Sequence, residues 1–177
     1  FPLDESDKVW IISQADHQLP AEISKYRDSL PFQIEFLEIE GLTEGPASTV
    51  DLVLKDLNDD EGLIVANTDQ YVFGDLSPFL QMVRSGDCSG QILTMTASSK
   101  AWSYVGRDSE GNINLVVEKE EISSEATVGI YGWSKASTAK SAFMHTFENN
   151  IRTNNEFYVA PTYNHLIKNG INLEQKI

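Results

Sequence analysis

The sequence has very few of the side chains that carry nucleophilic or thiolate chemistry. Its 177 residues include one cysteine, Cys88, and three scattered histidines, His17, His145 and His165. A single cysteine excludes an internal disulfide and a zinc site built from several thiolates, and it fits a reducing, cytoplasmic compartment. No G-x-S-x-G motif occurs, and Cys88 lies in the loop-like stretch SGDCSG without an evident histidine partner. Classical nucleophilic catalysis therefore finds no support.

Positive charge is also scarce. Thirteen Lys and Arg residues face 27 Asp and Glu residues, which gives a net charge of -14. This balance argues against nucleic acid and anionic membrane surfaces as partners. No apolar run is long enough to span a membrane, and the opening stretch FPLDESDK lacks the features of a signal peptide. A nucleotide is still compatible, because backbone N–H groups and a divalent cation can hold it in an acidic protein.

Apolar runs and helical patterns alternate along the chain. Predicted strands lie in KVWIIS, FQIEFLEIEG, EGLIVANTDQ, GQILTMTAS and ATVGIYGW, and a hairpin turns at DSEGN. Predicted helices lie in LPAEISKYRDSL, ASTVDLVLKDL and LSPFLQMVRSG, then around Ala139 to Ile151 and Ala160 to Lys168. Ser48 or Thr49 could cap the second helix, and the third has Ser77 as N-cap, Pro78 at its first position and Gly86 as its stop. The order β-α-β-α-β-α-β predicts one α/β domain over residues 1–177, with a mostly parallel sheet, flanking helices and a β-hairpin insertion.

One strand ends beside a candidate functional carboxylate. The run Leu63 to Ala66 has no polar interruption, which is typical of a parallel strand buried on both faces. The polar stretch NTDQ follows and carries Asp69. Ligands bind beyond the carboxyl ends of such strands, which makes Asp69 a candidate site residue. Aspartate is also common in turns, so an ordinary loop role stays open.

Five stretches together resemble the sugar-phosphate nucleotidyltransferase family. They are GLTEGPASTV, ANTDQ, SYVGRDSEGNINLVVEKE, ATVGIYGW and NNEFYVAPTYNHLIKNG. The last is similar to a segment of the predicted sugar-nucleotide pyrophosphorylases of capsule and surface-polysaccharide gene clusters. The resemblance extends from about Val9 to Gly170. It implies a GT-A-like nucleotide-binding sheet and transfer of a nucleotidyl group from a nucleoside triphosphate to a sugar 1-phosphate.

The resemblance also assigns roles to particular positions. It implies nucleotide contacts from Thr43, Glu44, Gly45, Ala47 and Asn67. Asp69 would be a catalytic residue that binds Mg²⁺, and Lys119 would meet the sugar phosphate. Sugar contacts would come from Tyr104, Glu118, Thr127, Gly129, Glu156 and Tyr158. The family often has glycine at the position of Val105 and proline at that of Glu120, so the sequence departs from the pattern there. Without the family context, the run Glu118 to Glu121 reads as a solvated charged segment.

Two family features are absent from the sequence. The first strand with its phosphate loop, similar to G-x-G-x-R followed by P-K-P, has no counterpart, nor does a second metal-binding aspartate. We therefore expect a domain that is incomplete at both ends and inactive by itself. Loss of a central first strand would leave two open strand edges, so we also expect rearrangement or self-association through them.

Two other functions fit the same pattern. A metal-dependent GT-A-type glycosyltransferase uses a related sheet with a D-x-D motif, whereas NTDQ carries one acid. A non-catalytic homologue that binds a sugar nucleotide or a partner chain would explain the missing loop.

Overall fold

The computed structural model describes residues 1–171 and 173–176. Among them are five α-helices and eight β-strands. The helices are α1 (Leu19–Ile23), α2 (Pro46–Leu54), α3 (Ser77–Ser85), α4 (Ala136–Glu148) and α5 (Tyr163–Lys168). The strands are β1 (Lys8–Gln14), β2 (Gln33–Ile39), β3 (Leu63–Ala66), β4 (Gly90–Thr96), β5 (Ser103–Arg107), β6 (Ile113–Glu118), β7 (Glu125–Trp133) and β8 (Leu173–Lys176). The predicted strands and hairpin are confirmed, and β8 was not predicted.

The strands form two separate sheets. Strands β1 and β2 pair in parallel as a two-stranded sheet, with Lys8 opposite Gln33. The other six strands form a second sheet with the order β6-β5-β7-β4-β8, and β3 pairs with β7. Within the described residues, β1 pairs only with β2 and β3 pairs only with β7, so each has an unpaired edge.

The prediction of a mostly parallel sheet is wrong for the larger sheet. The pairs β3–β7, β4–β7, β5–β6 and β5–β7 are antiparallel, and only β4–β8 is parallel. The physical reason is β7, which comes late in the chain and runs opposite to β3, β4 and β5. Strand β3 also differs from a doubly buried strand: Leu63 to Val65 are half-buried and Ala66 is exposed.

Strand β7 organises the sheet by changing its partner on one edge. Trp133 pairs with Leu63 of β3 and with Gly90 of β4, so these two strands lie on opposite edges of β7. Ala126 pairs with Tyr104 of β5 on the edge away from β4. The end of β3 and the start of β5 therefore follow one another along a single edge, and residues 127–129 lie between them.

The core packs helices against the face of this sheet. Trp133 is fully buried, stacks on Tyr163 at 4.8 Å between ring centroids and meets Phe143 edge-on at 5.9 Å. The Tyr163 hydroxyl donates to backbone oxygens of Gln91 and Gly132 at 3.0 Å. The C-terminal helical segment is therefore anchored directly to β4 and β7.

The smaller sheet is attached to the rest of the molecule through α3. The Arg84 guanidinium at the end of α3 donates to Asp7 at 2.6 Å and to Asp4 at 3.0 Å. The Phe1 ring lies 6.2 Å from that of Phe79. As predicted, α3 has Pro78 in its first turn and ends at Gly86, which is left-handed, but Leu76 rather than Ser77 occupies the N-cap position. In the part of the chain that the structure describes, no helix is long and apolar enough to cross a membrane.

Candidate functional site

The loop before α2 has a backbone shape that only glycine takes readily. Gly45 has φ 125° and ψ 174°, and Pro46 begins the helix directly after it. The Thr49 hydroxyl is 2.7 Å from the Thr43 hydroxyl and donates to the Gly45 carbonyl at 3.3 Å. Ser48 or Thr49 was predicted to cap the helix, and this is wrong, because Gly45 occupies the cap position and both residues lie inside the helix.

Phe157 holds this loop from the other side. Its N–H donates to the Glu44 carbonyl at 2.8 Å, and the Ala47 N–H donates to the Phe157 carbonyl at 2.9 Å. A Cβ atom at Gly45 would lie 2.6 Å from the Phe157 oxygen, so the two backbones leave no room for a side chain. Two segments far apart in sequence, the Thr43–Ala47 loop and Glu156–Tyr158, are thereby fixed side by side.

Arg152 closes the outer side of this contact. Its guanidinium lies 3.7 Å from the centre of the Phe157 ring and donates to the Glu44 carboxylate. A second guanidinium N–H donates to the Asn155 carbonyl at 2.8 Å. Stacking and charge pairing together orient Glu44, a residue that the sequence resemblance assigns to nucleotide binding. Arg152 itself was not predicted as a site residue.

The hairpin contributes a half-buried carboxylate. Ser103 of β5 pairs with Glu118 of β6, and the Ser103 hydroxyl donates to the Glu118 carboxylate. Burial raises the pKa of Glu118, whereas the hydrogen bond from Ser103 and the charge of Lys119 oppose that rise. A carboxylate in this setting accepts hydrogen bonds from hydroxyl groups, which fits the predicted sugar contact.

Lys119 follows with an unusual backbone. Its φ is 59°, in the left-handed region that lysine rarely adopts, and its N–H donates to the Trp102 carbonyl at 3.0 Å. The ammonium lies 4.6 Å from the centre of the Tyr158 ring and donates to the Tyr158 hydroxyl. That hydroxyl donates to the Glu156 carboxylate. The hydrogen bond to Tyr158 is the main cause that raises the pKa of Lys119.

The gap between β3 and β5 is lined by a second group of predicted residues. Gly129 has φ 72°, and its carbonyl accepts the Asn67 N–H at 3.0 Å. The Asn67 amide fills the space where a side chain at position 129 would lie. Thr127 is 2% exposed, and its hydroxyl is 3.0 Å from that of Tyr131. Asn67, Thr127 and Gly129 therefore meet where β7 changes its partner.

Tyr131 connects this gap with the hairpin. Burial raises its pKa to about 12, and hydrogen bonds with Thr127 and Ser103 oppose the rise. Tyr131 thereby brings Thr127 near Ser103, whose hydroxyl donates to Glu118. The hydroxyl pair Ser103 and Tyr131 was not predicted from the sequence. Counting back from the DSEGN turn would have paired Ser103 with Val117, because a register shift between Gly106 and Arg107 moves the partner to Glu118.

The structure does not bring Tyr104 to this group. The side chain is fully buried, and its hydroxyl accepts the Ser99 N–H at 2.7 Å and donates to the Ser99 carbonyl at 2.8 Å. Tyr104 closes the turn before the hairpin, and its hydroxyl is engaged by Ser99.

Asp69 lies in the exposed loop after β3, two residues beyond Asn67. Within residues 1–171 and 173–176 it forms no hydrogen bond or ion pair, and no group of three His, Cys, Asp or Glu side chains could hold a metal ion. One carboxylate does not bind Mg²⁺ by itself, because this ion takes six oxygen ligands. Asp69 fits Mg²⁺ only as one ligand of an ion that is held mainly by phosphate oxygens and water.

Solved structures share this fold. A nucleoside-diphosphate-sugar pyrophosphorylase from Vibrio cholerae RC9 matches with a TM-score of 0.69 and 23% identity, over 96% of this chain and 72% of its own. A Bacillus anthracis protein described as a glucose-1-phosphate thymidylyltransferase, in complex with a sucrose, matches with a TM-score of 0.70 and 15% identity, over 95% and 67%. HddC from Yersinia pseudotuberculosis matches with a TM-score of 0.60 and 18% identity, over 96% and 68%. No family model and no curated protein matches the sequence.

These matches confirm the resemblance at the level of the fold. The chain has the mixed α/β fold of nucleoside-diphosphate-sugar pyrophosphorylases and glucose-1-phosphate thymidylyltransferases. At identities of 15% to 23%, the likeness extends to the fold and leaves the activity to be tested.

Proposed function

We propose that this chain binds a nucleoside triphosphate and a sugar 1-phosphate, the substrates of nucleotidyl transfer. The observation that carries the proposal is the contact between two segments assigned to different substrates. The Thr43–Ala47 loop, assigned to the nucleotide, is bonded on both sides to Phe157. The next residue, Tyr158, contacts Lys119, which is assigned to the sugar phosphate. The residues assigned to the nucleotide and the residue assigned to the sugar phosphate are thus connected through one short segment, Phe157 and Tyr158.

Each group has a physical role in this proposal. The flat, small-residue backbone at Gly45 and Ala47 lets a base approach closely, and Asn67 adds an amide at the end of β3. Glu118 and Gly129 face the sugar hydroxyls, and Thr127, which is buried, supports this side through its contact with Tyr131. Lys119 offers its charge to the sugar phosphate.

The reaction would join the two ligands directly. A phosphate oxygen of the sugar 1-phosphate forms a bond to the α-phosphorus, and the bond from that phosphorus to the β-phosphate oxygen breaks. Pyrophosphate leaves with the electron pair. The protein contributes position and charge rather than a covalent intermediate. Mg²⁺, arriving with the phosphates and held in part by Asp69, would supply neutralising charge.

The same structure favours a second candidate function, binding without turnover. Three phosphates need several cations, yet Arg152 is already paired with the Glu44 carboxylate, and Lys119 is assigned to the sugar phosphate. The overall charge is -14. We therefore expect this chain by itself to bind its ligands and to release little or no pyrophosphate. The D-x-D glycosyltransferase alternative gains no support, since Asp69 is the single acid of its stretch.

The unpaired strand edges are candidate sites for binding a partner chain. The unpaired edges of β1 and β3 present backbone N–H and C=O groups that a second chain can pair with. We infer that copies of this chain self-associate through these edges. Light scattering behind a sizing column tests this inference: a monomer at all concentrations contradicts it. The cytoplasmic location remains a prediction.

Calorimetry tests the proposed function. Nucleoside triphosphates with Mg²⁺, and separately a panel of sugar 1-phosphates, are titrated into the protein. At least one ligand of each kind should bind with micromolar to millimolar affinity, and the variant Lys119→Ala should lose the sugar 1-phosphate. If neither kind of ligand binds at millimolar concentration, the proposed function is wrong.

A further inference from the structure

A lysine side chain is too flexible to orient a substrate unless other groups hold it in place. A lysine side chain has four rotatable bonds, and fixing them costs rotamer entropy. A lysine that meets a phosphate therefore acts efficiently only if something else orders it first. In this structure Lys119 is ordered at both ends: its backbone is held in the left-handed region, and its ammonium contacts Tyr158.

Tyr158 contacts the ammonium in two ways at once. The centre of the Tyr158 ring lies 4.6 Å from Nζ, and the hydroxyl accepts one Nζ–H bond. An ammonium has three donors, so this arrangement leaves two for an anion. Tyr158 thus orients the ammonium and leaves its charge available to an anion.

Glu156 orients the tyrosine in turn. Its carboxylate accepts the Tyr158 O–H, which turns the oxygen lone pairs toward Lys119. The pKa of Tyr158 is raised, first by burial and then by this hydrogen bond, so the hydroxyl keeps its proton as a donor. The sequence of donors is therefore fixed: Lys119 to Tyr158 to Glu156.

The segment Glu156–Tyr158 also holds the Thr43–Ala47 loop. Phe157 lies between Glu156 and Tyr158, and its backbone N–H and C=O are both bonded to the loop at Glu44 and Ala47. A shift of this segment would move the loop and the lysine together.

We propose that Tyr158 is a positioning residue for Lys119, that Glu156 orients its hydroxyl, and that Phe157 ties this pair to the Thr43–Ala47 loop. The sequence resemblance assigned Glu156 and Tyr158 to sugar contacts; here they act through Lys119. That the ligand of Lys119 is a sugar phosphate rests on the proposed function.

The direct test is an NMR titration of the lysine ammonium groups in the full chain. Lysines are labelled with ¹³C and ¹⁵N, and the Lys119 signal is assigned from its loss in Lys119→Arg. In Tyr158→Phe the pKa of Lys119 should fall, because the hydrogen bond that raises it is gone. In Tyr26→Phe, a change at a tyrosine that is 64% exposed and distant in sequence, it should not move. An unchanged Lys119 titration in Tyr158→Phe overturns the proposal.

A binding measurement adds the functional readout. Tyr158→Phe keeps the ring and the fold but removes the acceptor, so it should weaken a sugar 1-phosphate several-fold. The matching unphosphorylated sugar should be unaffected. Glu156→Gln, which keeps an acceptor oxygen, should lie between wild type and Tyr158→Phe. If wild type binds a sugar 1-phosphate and Tyr158→Phe binds it equally well, the positioning role is wrong. If wild type binds none, the proposed function fails, and the NMR titration alone decides the role of Tyr158.

Discussion

The backbone N–H of Asn67 donates to the carbonyl of Gly129 at 3.0 Å, and the Asn67 side chain occupies the space above that glycine. This contact fixes the end of β3 at the point where β7 exchanges one neighbour for another. Asp69 follows two residues later. The location of the candidate metal ligand thus depends on a glycine some sixty residues away in sequence.

Gly129→Ala should therefore disturb the end of β3. A Cβ atom there would collide with Asn67, and the φ of 72° is strained for alanine, so we expect a loss of about 1–3 kcal/mol in unfolding free energy. Gly41→Ala is the matched control, since φ is 77° with no atom within 4 Å. Urea denaturation measures both. The double variant with Asn67→Ala should recover part of the loss, and equal losses for Gly129→Ala and Gly41→Ala would show that the contact is unimportant.

Gly45→Ala should be more damaging. The new Cβ would lie 2.6 Å from the Phe157 carbonyl oxygen and 2.7 Å from its nitrogen, and backbone cannot move aside as a flexible side chain does. We expect a loss of about 2–4 kcal/mol, combining backbone strain with overpacking. Gly111→Ala, with φ 88° in open space, should lose only roughly 1–2 kcal/mol. Thermal or urea unfolding of the two variants decides the matter. A Gly45→Ala protein as stable as Gly111→Ala would mean that the loop and Phe157 are not held together.

The stability of the protein should depend on pH through Glu118. Burial raises the pKa of this carboxyl above its ordinary value of 4.5, so the folded state binds its proton more tightly than the unfolded state. The stabilisation is fully present below pH 4.5 and is lost as pH rises through the folded pKa. Glu118→Gln removes this term. The unfolding free energy of Glu118→Gln minus that of wild type should increase from pH 4 toward neutrality, and a difference that is flat or decreases over this range contradicts the assignment.

Asp69 should matter only when a nucleotide is present. Because one carboxylate cannot hold Mg²⁺ alone, calorimetry should show no Mg²⁺ binding to the protein without nucleotide. With a nucleoside triphosphate, Asp69→Ala should weaken binding in the presence of Mg²⁺ and have little effect in EDTA. Asp56→Ala removes an exposed acid two residues beyond the end of α2 and serves as the charge control. Tight Mg²⁺ binding by the free protein would show that other ligands complete the site.

The sequence predicted the strands and helices well because their signals are local. Apolar runs such as KVWIIS, and the Pro78 and Gly86 pair around α3, depend on a few neighbouring residues. The direction of pairing was predicted wrongly because it depends on β7, which enters the sheet more than fifty residues after β3. No local pattern in ATVGIYGW shows that it runs against its neighbours.

The residues of the candidate site were also predicted only in part. Glu118, Lys119 and Tyr158 were found from the resemblance, and the structure joins them. Ser103 and Arg152 were missed, because a serine in a hairpin and an arginine in a loop carry no distinctive signal. Tyr104 was assigned to the site, whereas its hydroxyl is bonded to Ser99.

The most direct test of the account is a chemical-shift map of the labelled protein during titration with a sugar 1-phosphate. Shifts concentrated at Glu118, Lys119 and Tyr158, with smaller ones spreading through Phe157 to Gly45, are the predicted result. No shifts at saturating ligand, or shifts confined to a distant surface such as α3, would contradict it.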